Sequence, residues 1–443
     1  MKFLFSIILL ILINNCSFDD KTGIWKNEQN LSDEKDIDAF KDFRKVNLSE
    51  NKYFDQIINR NKNFNFILDT SKSTQEWNDE YFSKNNVIPN ILYNNNDNIL
   101  KGKKLSSSKL SSNILFKNNL LIASDVKGNL IVYSIDRRKI LHKYNFYKKR
   151  YRNINKKLNM TIFEGNLYVS DNIGFLYAYD FKLNKIIWAK RFPVPFRSNI
   201  KINNKKLYIA NENNSLFIIN SKDGNIIRKI PTEEVLIKNR YMNNLSMDNK
   251  NLFYLNTFGT LYSINQENLR LNWFININPS LTGSLNDLFT SREIKIYRKN
   301  LIILSNNGLQ VIDSLNGSTK YIIPINSEIS PIVYSNYIFA VSKNNLLVAI
   351  ETNSGNIIYS FKIDQKIAQF LNTNKKDKIK IKYIRIINDK IVLFLKNSYV
   401  IEFSVNGKIE DLYKLPSKIY SKPIFINNSM IYLNKGKKLI KIN

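Results

Sequence analysis

Eight times along the chain an apolar run breaks at a short polar turn, resumes, breaks at a second turn and resumes again. The opening hairpins read LFKNNLLIAS (115–124), IFEGNLYVS (162–170), KINNKKLYIA (201–210) and MDNKNLFYL (247–255), then IYRKNLIILS (296–305), VYSNYIFAVS (333–342), IINDKIVLFL (386–395) and FINNSMIYLN (425–434). β-Branched and aromatic residues fill the runs while Asn, Gly and Lys fill the turns, which predicts strands joined by tight hairpins. Recurrence at roughly 40 to 50 residues is the period of a propeller blade. The predicted fold is all-β, an eight-bladed β-propeller of four-stranded antiparallel blades.

A residue at the end of each third strand sets the register: Ser134, Asp180, Asn220, Asn265, Asp313, Glu351, Phe403 and Asn443. Six positions earlier stand Gly128, Gly174, Asn214, Gly259, Asn307, Asn345 and Asn397, residue types suited to a turn of positive φ; the last unit has Lys437 beside Gly436. Eight positions later, on the expected outer strand, stand His142, Trp188, Arg228, Trp273, Tyr321, Tyr359 and Asp411. The eighth unit stops at Asn443 and lacks that strand. A three-stranded blade would leave a bare edge, so another segment must cover it. Asp69 and Trp77 in DTSKSTQEW repeat the spacing without a blade before them. The expectation is that residues 74–78, around Trp77, supply the outer strand of the last blade and close the ring from the N-terminal side.

Upstream, Met1-Lys2 followed by FLFSIILLILI is a positive start and an apolar core too short to span a bilayer as a helix, which reads as an export signal over residues 1–15. Cys16, the only cysteine, follows directly, and Ile13-Asn14-Asn15-Cys16 resembles a bacterial lipobox, making Cys16 the expected lipidation site. With no second cysteine, disulfides are excluded. Residues 16–72 are rich in Asn, Asp and Lys and read as a flexible tether, although Tyr53 to Leu68 carries enough Phe and Ile to dock on the propeller. The propeller is expected over 73–443.

Charge and chemistry then narrow the function. Sixty-seven Lys and Arg against 37 Asp and Glu give a formal net charge of +30. The lysines are spread through turns, where they solvate strand edges, and export argues against a nucleic-acid partner. The densest basic cluster is KKRYR (148–152) with Lys156 and Lys157, in the connection between the first two blades. His142 is the only histidine and occupies a position that tryptophan fills in other units, so it reads as a packing residue. One histidine and one cysteine leave no metal-ligand spacing and no Ser-His or Cys-His pair. Neither catalytic residues nor a cofactor nor a metal is expected. A rigid scaffold presenting loops for binding is favoured over an enzyme.

The segments DNIGFLYAYDFKLNKIIW (171–188), NTFGTLYSINQENLRLNW (256–273), SLNGSTKY (314–321) and TNSGNIIY (352–359) resemble the quinoprotein-type propeller repeat, whose outer strand typically carries Gly-Lys-x-x-Trp. Together with the lipoprotein signal, the eight units and the closing N-terminal strand, they make the chain similar to the BamB family, lipoproteins of the outer-membrane β-barrel assembly machinery. That resemblance implies a non-enzymatic scaffold, lipid-anchored to the outer membrane and facing the periplasm, which helps to insert outer-membrane proteins. It implies one copy in a hetero-complex with the periplasmic POTRA region of BamA and other machinery subunits. In the family, contacts come from one loop with an apolar-Arg pair and another with an acidic residue. FPVPFRSNI (192–200) matches the first and nominates Phe196 and Arg197; SLNDLF (284–289) matches the second and nominates Asn286 and Asp287. An exposed aromatic beside a guanidinium is a good interface anchor. The alternatives are a quinone-dependent (PQQ) dehydrogenase, against which a single cysteine argues, and a periplasmic propeller that binds glycan or peptide.

Overall fold

Two-residue turns with positive φ at both positions begin several blades: Asn118–Asn119, Asn204–Lys205, Asn388–Asp389 and Asn427–Asn428. This is the turn geometry whose twist matches that of the strands it joins, and Asn and Asp tolerate it best. The computed structural model describes residues 53–96, 98–234, 242–278, 289–373 and 379–443, together with the backbone of Cys16–Phe18 and Trp25–Asn27. Those two short strands pair antiparallel, Cys16 opposite Asn27. From Tyr53 onward the chain forms one unit, an eight-bladed β-propeller of four-stranded antiparallel blades. In chain order the blades occupy 115–145, 158–191, 201–230, 244–276, 295–323, 332–362, 381–414 and 424–442, hereafter blades 1 to 8. An α-helix, Ile363–Phe370, lies in the connection from blade 6 to blade 7 and buries Ile363 and Ala368.

The ring is closed by a strand from the N-terminal side, but not by the expected one. Ile99–Lys104 is the outer strand of blade 8, antiparallel to Lys438–Ile442, with Ile99 opposite Ile442 and Lys101 opposite Ile440. Trp77 instead pairs with Phe116 on the inner strand of blade 1, each backbone N–H donating to the other's carbonyl at 2.8 and 2.9 Å. The physical reason is desolvation. The strand that closes blade 8 has no buried position, whereas the Trp77 indole is 2% exposed, packed edge-on to Phe82 at 4.8 Å in the core shared by blades 8 and 1.

The segment 72–94 makes a full circuit of the ring's axis, touching the inner strands in chain order. Asn427 of blade 8 donates its N–H to Thr74 O at 2.7 Å; after Trp77 at blade 1, Ile162 of blade 2 donates to Asn78 O at 2.8 Å. In blade 3, Lys201 Nζ donates to Asp79 Oδ2 at 2.8 Å and Ser83 O at 2.9 Å. Met247 of blade 4 bonds Lys84 O at 3.0 Å, and Ile296 of blade 5 bonds Asn85 O at 3.0 Å. Asn90 Nδ2 reaches Tyr334 of blade 6 at 3.1 Å and Asp389 of blade 7 at 2.8 Å. Ile91 then bridges blade 7, accepting from Asn388, and Asn94 returns to blade 8 through Asn428 O. The circuit closes on itself where Lys72 N–H bonds Asn90 O and Leu92 N–H bonds Lys72 O, both at 2.9 Å. An inner strand otherwise presents a bare edge to the channel, and this hub satisfies it. Asn86, with no exposed surface, joins two blades by donating to Leu245 O at 2.9 Å and Ile294 O at 2.8 Å.

Around the rim, the position eight past the register mark explains its preference for large donors. Trp188 Nε1 donates to Ser221 O at 2.9 Å, Arg228 to Leu269 O at 3.0 Å and Trp273 to Ser314 O at 3.3 Å. Tyr321 donates to Thr352 O and Tyr359 to Val405 O, both at 2.7 Å. In each case the acceptor lies in the last turn of the next blade. Gly317 there has φ +77°, and a Cβ on it would stand 2.7 Å from the Trp273 ring, so glycine is required by both conformation and space. Apolar side chains fill the wedges between neighbouring blades, as between blades 6 and 7 and between blades 3 and 4.

Two further expectations shift. The positive φ in the turn after the second strand falls on Gly128, Gly174, Asn214, Gly259 and Asn345, but on Gly308 and Ser398 instead of Asn307 and Asn397. In the last blade Lys437 itself adopts it. The expected boundary between tether and propeller at residue 73 moves upstream to Tyr53. The cause is edge pairing and aromatic packing: Ile58 bridges Ser360 on the outer strand of blade 6, and Phe66 packs on Tyr337 at 4.7 Å. The expected signal over 1–15 lies outside the described residues.

Asn86→Ala should lower unfolding stability by about 1–3 kcal/mol, because the buried Ile294 O loses its side-chain donor while Leu245 O keeps Asn199 Nδ2 at 2.9 Å. Chemical denaturation against the exposed control Ile67→Ala measures it, and equal stability of the two variants would contradict the hub. A second test uses Glu293. Burial raises its pKa, but the ammonium groups of Lys295 and Lys422 and the Ser330 hydroxyl outweigh burial and hold it at about 2 against the ordinary 4.5. A carboxyl depressed in the folded state stabilises the fold above its unfolded value of 4.5, and that contribution is lost as pH falls toward 2. Glu293→Gln should therefore flatten the acid side of the stability profile between those values, read by denaturation at successive pH.

Candidate partner-binding face

In an antiparallel propeller, the connections from each outer strand to the next inner strand emerge on the same face as the turns after the second strands. Loops on a rigid scaffold are the usual carriers of binding. The connection 192–200 between blades 2 and 3 is held at both ends. Phe192 N–H bonds Gly174 O at 2.7 Å, and Gly174 has φ +106° with no room for a Cβ, which would lie 2.4 Å from Phe192 O. Further along, Arg197 N–H bonds Ala210 O at 3.0 Å and Arg197 O accepts from Asn243 N–H at 2.9 Å.

Phe196, expected as an exposed anchor, is 2% exposed. Its ring sits edge-on to Phe192 at 4.7 Å and Phe217 at 5.9 Å, in the wedge between blades 2 and 3. The neighbouring aromatics offer a dry pocket that outcompetes solvent exposure. Arg197 stays at the surface with its side chain 22% exposed, and Nη2 donates to Glu212 Oε1 at 2.6 Å. Glu212 is itself positioned by donating its N–H to Pro195 O at 2.9 Å. One acid cannot use all five guanidinium donors, so Arg197 is oriented yet able to bind a second carboxylate. Asn286 and Asp287 lie outside the described residues, as does the side chain of Cys16. Phe289, just beyond the second loop, is buried against Gly259.

Glu233, which no sequence pattern marks, fastens the connection after blade 3 to blade 4. It accepts from Asn256 Nδ2 at 2.7 Å, Thr260 Oγ1 at 3.0 Å and Tyr262 OH at 2.5 Å. Burial raises its pKa, but hydrogen bonds from Tyr262, the backbone, Thr260 and Asn256 outweigh that and hold it below the usual glutamate value. Its partners stand 23 to 29 residues away in sequence, so only the fold brings them together. The basic cluster folds as a single 3-10 turn, Lys149–Tyr151. Lys127, Lys148, Lys149, Arg152 and Lys156 line a cleft of about 340 Å³ with no acidic residue among its walls. His142 lies on the outer strand of blade 1 opposite Val132.

Eight four-stranded blades with an aromatic-to-turn latch at the rim define a propeller of the quinoprotein-repeat class. A family model described as outer membrane protein assembly factor BamB matches residues 100–369, more than half of the chain. The chain belongs to that family. The outer membrane protein assembly factor BamB of Shewanella oneidensis is 23% identical over 230 residues, 46% of this chain and 57% of that protein, so the match spans little more than half of the relative's length. Among solved structures, BamB from Moraxella catarrhalis superposes with a TM-score of 0.60 at 13% identity, over 77% of this chain and 99% of that one. The computationally designed Ika8 protein superposes with a TM-score of 0.57 at 9% identity, again over 77% and 99%. These two likenesses concern the fold. The family match begins at residue 100, so the hub over 72–94 lies outside it.

Phe196→Ala should cost about 3–5 kcal/mol of stability, as truncation of a buried aromatic does. Denaturation of the purified variant checks this, and a variant as stable as the parent would contradict the packing role.

Proposed function

We propose that this chain is a non-enzymatic scaffold lipoprotein of the outer-membrane β-barrel assembly machinery, anchored through Cys16 and facing the periplasm. Its partner in this reading is the POTRA region of BamA, engaged by the face that carries 192–200. The observation that carries the reading is the family match over 100–369, laid on a complete eight-bladed ring. The geometry of the 192–200 loop adds support, since a surface guanidinium held by Glu212 loses little freedom on docking. The cationic cleft between blades 1 and 2 supplies long-range attraction for an acidic partner surface. The hub argues for a scaffold over a quinone-dependent dehydrogenase, because the chain's own segment occupies the axis of the ring and ties the inner strands together.

Arg197→Glu places two acids side by side at the loop and should reduce capture of the POTRA region by about tenfold or more while leaving the thermal transition in place. Co-purification from membranes carrying the lipidated chain reads this directly. Unchanged capture would contradict the assigned face, and dye-linked alcohol oxidation on addition of quinone and Ca²⁺ would contradict the scaffold role.

A further inference from the structure

We propose that the channel mouth on the connection face is a binding site for a small oxyanion, with Arg385 and Lys382 of blade 7 as its ligating cations. A cavity of about 180 Å³ opens there, walled by the beginnings of the inner strands of blades 5 to 7 and floored by hub residues including Tyr81, Asn86 and Ile88. A single buried water needs only ~10–15 Å³, so the space admits a tetrahedral or planar oxyanion with its hydration.

The cations around it outnumber the acids free to meet them. Glu293 is taken by Lys295 Nζ at 3.0 Å and Ser330 Oγ at 2.5 Å. Glu80 is taken by Lys422 at 3.0 Å. Glu328 is turned outward, its side chain 75% exposed and 3.9 Å from Lys343. Arg292 is exposed at the rim. That leaves Arg385 and Lys382, neither of which forms an ion pair among the described residues. Arg385 uses Nη1 on the carbonyl of its own neighbour, Ile384, at 2.8 Å, while its Nε is shielded from solvent and has no partner. Lys382 donates to Ile419 O at 3.3 Å and Tyr420 O at 2.6 Å, and its ammonium lies over the rings of Tyr383 at 5.0 Å and Tyr420 at 5.9 Å, with no carboxylate against it among the described residues.

A cation withdrawn from water without a carboxylate partner is costly, and an anion held in the adjoining cavity offsets that cost. The electrostatics agree. Burial pushes the Lys382 ammonium down to about 8, helped by Lys435 and Lys396, and burial lowers Arg385 despite the attraction of Glu293. A bound anion relieves both. Hub residues form the cavity floor.

The test is calorimetric titration and thermal unfolding of the full chain with inorganic phosphate, against chloride at equal ionic strength, with acetate as competitor. Phosphate should bind and raise the transition where chloride does not. Arg385→Met and Lys382→Met should each weaken binding about tenfold or more, as loss of a charge-assisted bond does. Lys149→Met, in the other cationic cleft, should bind as the parent does. Should Arg385→Met fail to fold, Lys382→Met and Arg385→Lys carry the comparison. Competition by acetate would assign a carboxylate ligand, and indifference to acetate a phosphate; both support the site. Equal responses to chloride and phosphate, undiminished binding in the Arg385 and Lys382 variants, or loss of binding in Lys149→Met would overturn it.

Discussion

Each innermost strand of a propeller has one edge paired within its blade and one edge facing the axis. Everything else in this molecule depends on how those axial edges are satisfied. Left bare, they would hold backbone donors and acceptors in a narrow channel where water is scarce and strand pairing is the cheapest alternative. Here a single stretch of chain, residues 72–94, runs round the axis and meets blades 8, 1, 2, 3, 4, 5, 6, 7 and 8 in turn by hydrogen bonds from or to its backbone or side chains. It then continues outward to become the outer strand of blade 8. The last blade is therefore clasped at both edges by one continuous segment, inside through Thr74 and Asn94 and outside through Ile99–Lys104.

This arrangement explains why two lysines are buried in a protein with ample surface for them. Lys201 and Lys295 both open the inner strand of their blade, at 1% and 5% exposure, and both reach into the channel to bond hub carbonyls. Each also has a carboxylate, Asp79 or Glu293, at 2.8 and 3.0 Å. Removing one partner of such a pair would strand the other charge, so the pairs enforce the hub's path more than they add net stability.

The ring was legible in the sequence because its signal repeats. Turn residues that need positive φ and apolar runs of fixed length recur in eight units, and a chance match at one blade cannot imitate the series. Even the latch at the rim was visible as a position, although its role as a donor to the next blade needed the fold. The hub was not legible for the converse reason. It occurs once, has no period, and works through Asn, Ser and Thr groups that read as loop composition. Trp77 was placed at an edge because spacing alone cannot distinguish an indole in the channel from one on the rim. Phe196 misled in the same way, since its burial depends on Phe217, in another strand of the next blade. Arg197 kept its surface position, and its fixing partner Glu212 became visible only when the two turns met.

The most direct measurement is native-state amide hydrogen exchange at the positions that bond the hub, Phe116, Ile162, Met247 and Ile296 on the inner strands and Asn388 and Asn427 in the turns that follow them. If the hub seals the axis, these amides exchange only through global unfolding, with protection equal to that of the central strands of their blades. Rapid exchange at these six positions, while the central strands stay protected, would mean that the axial edges are open to water and that the ring stands without its hub.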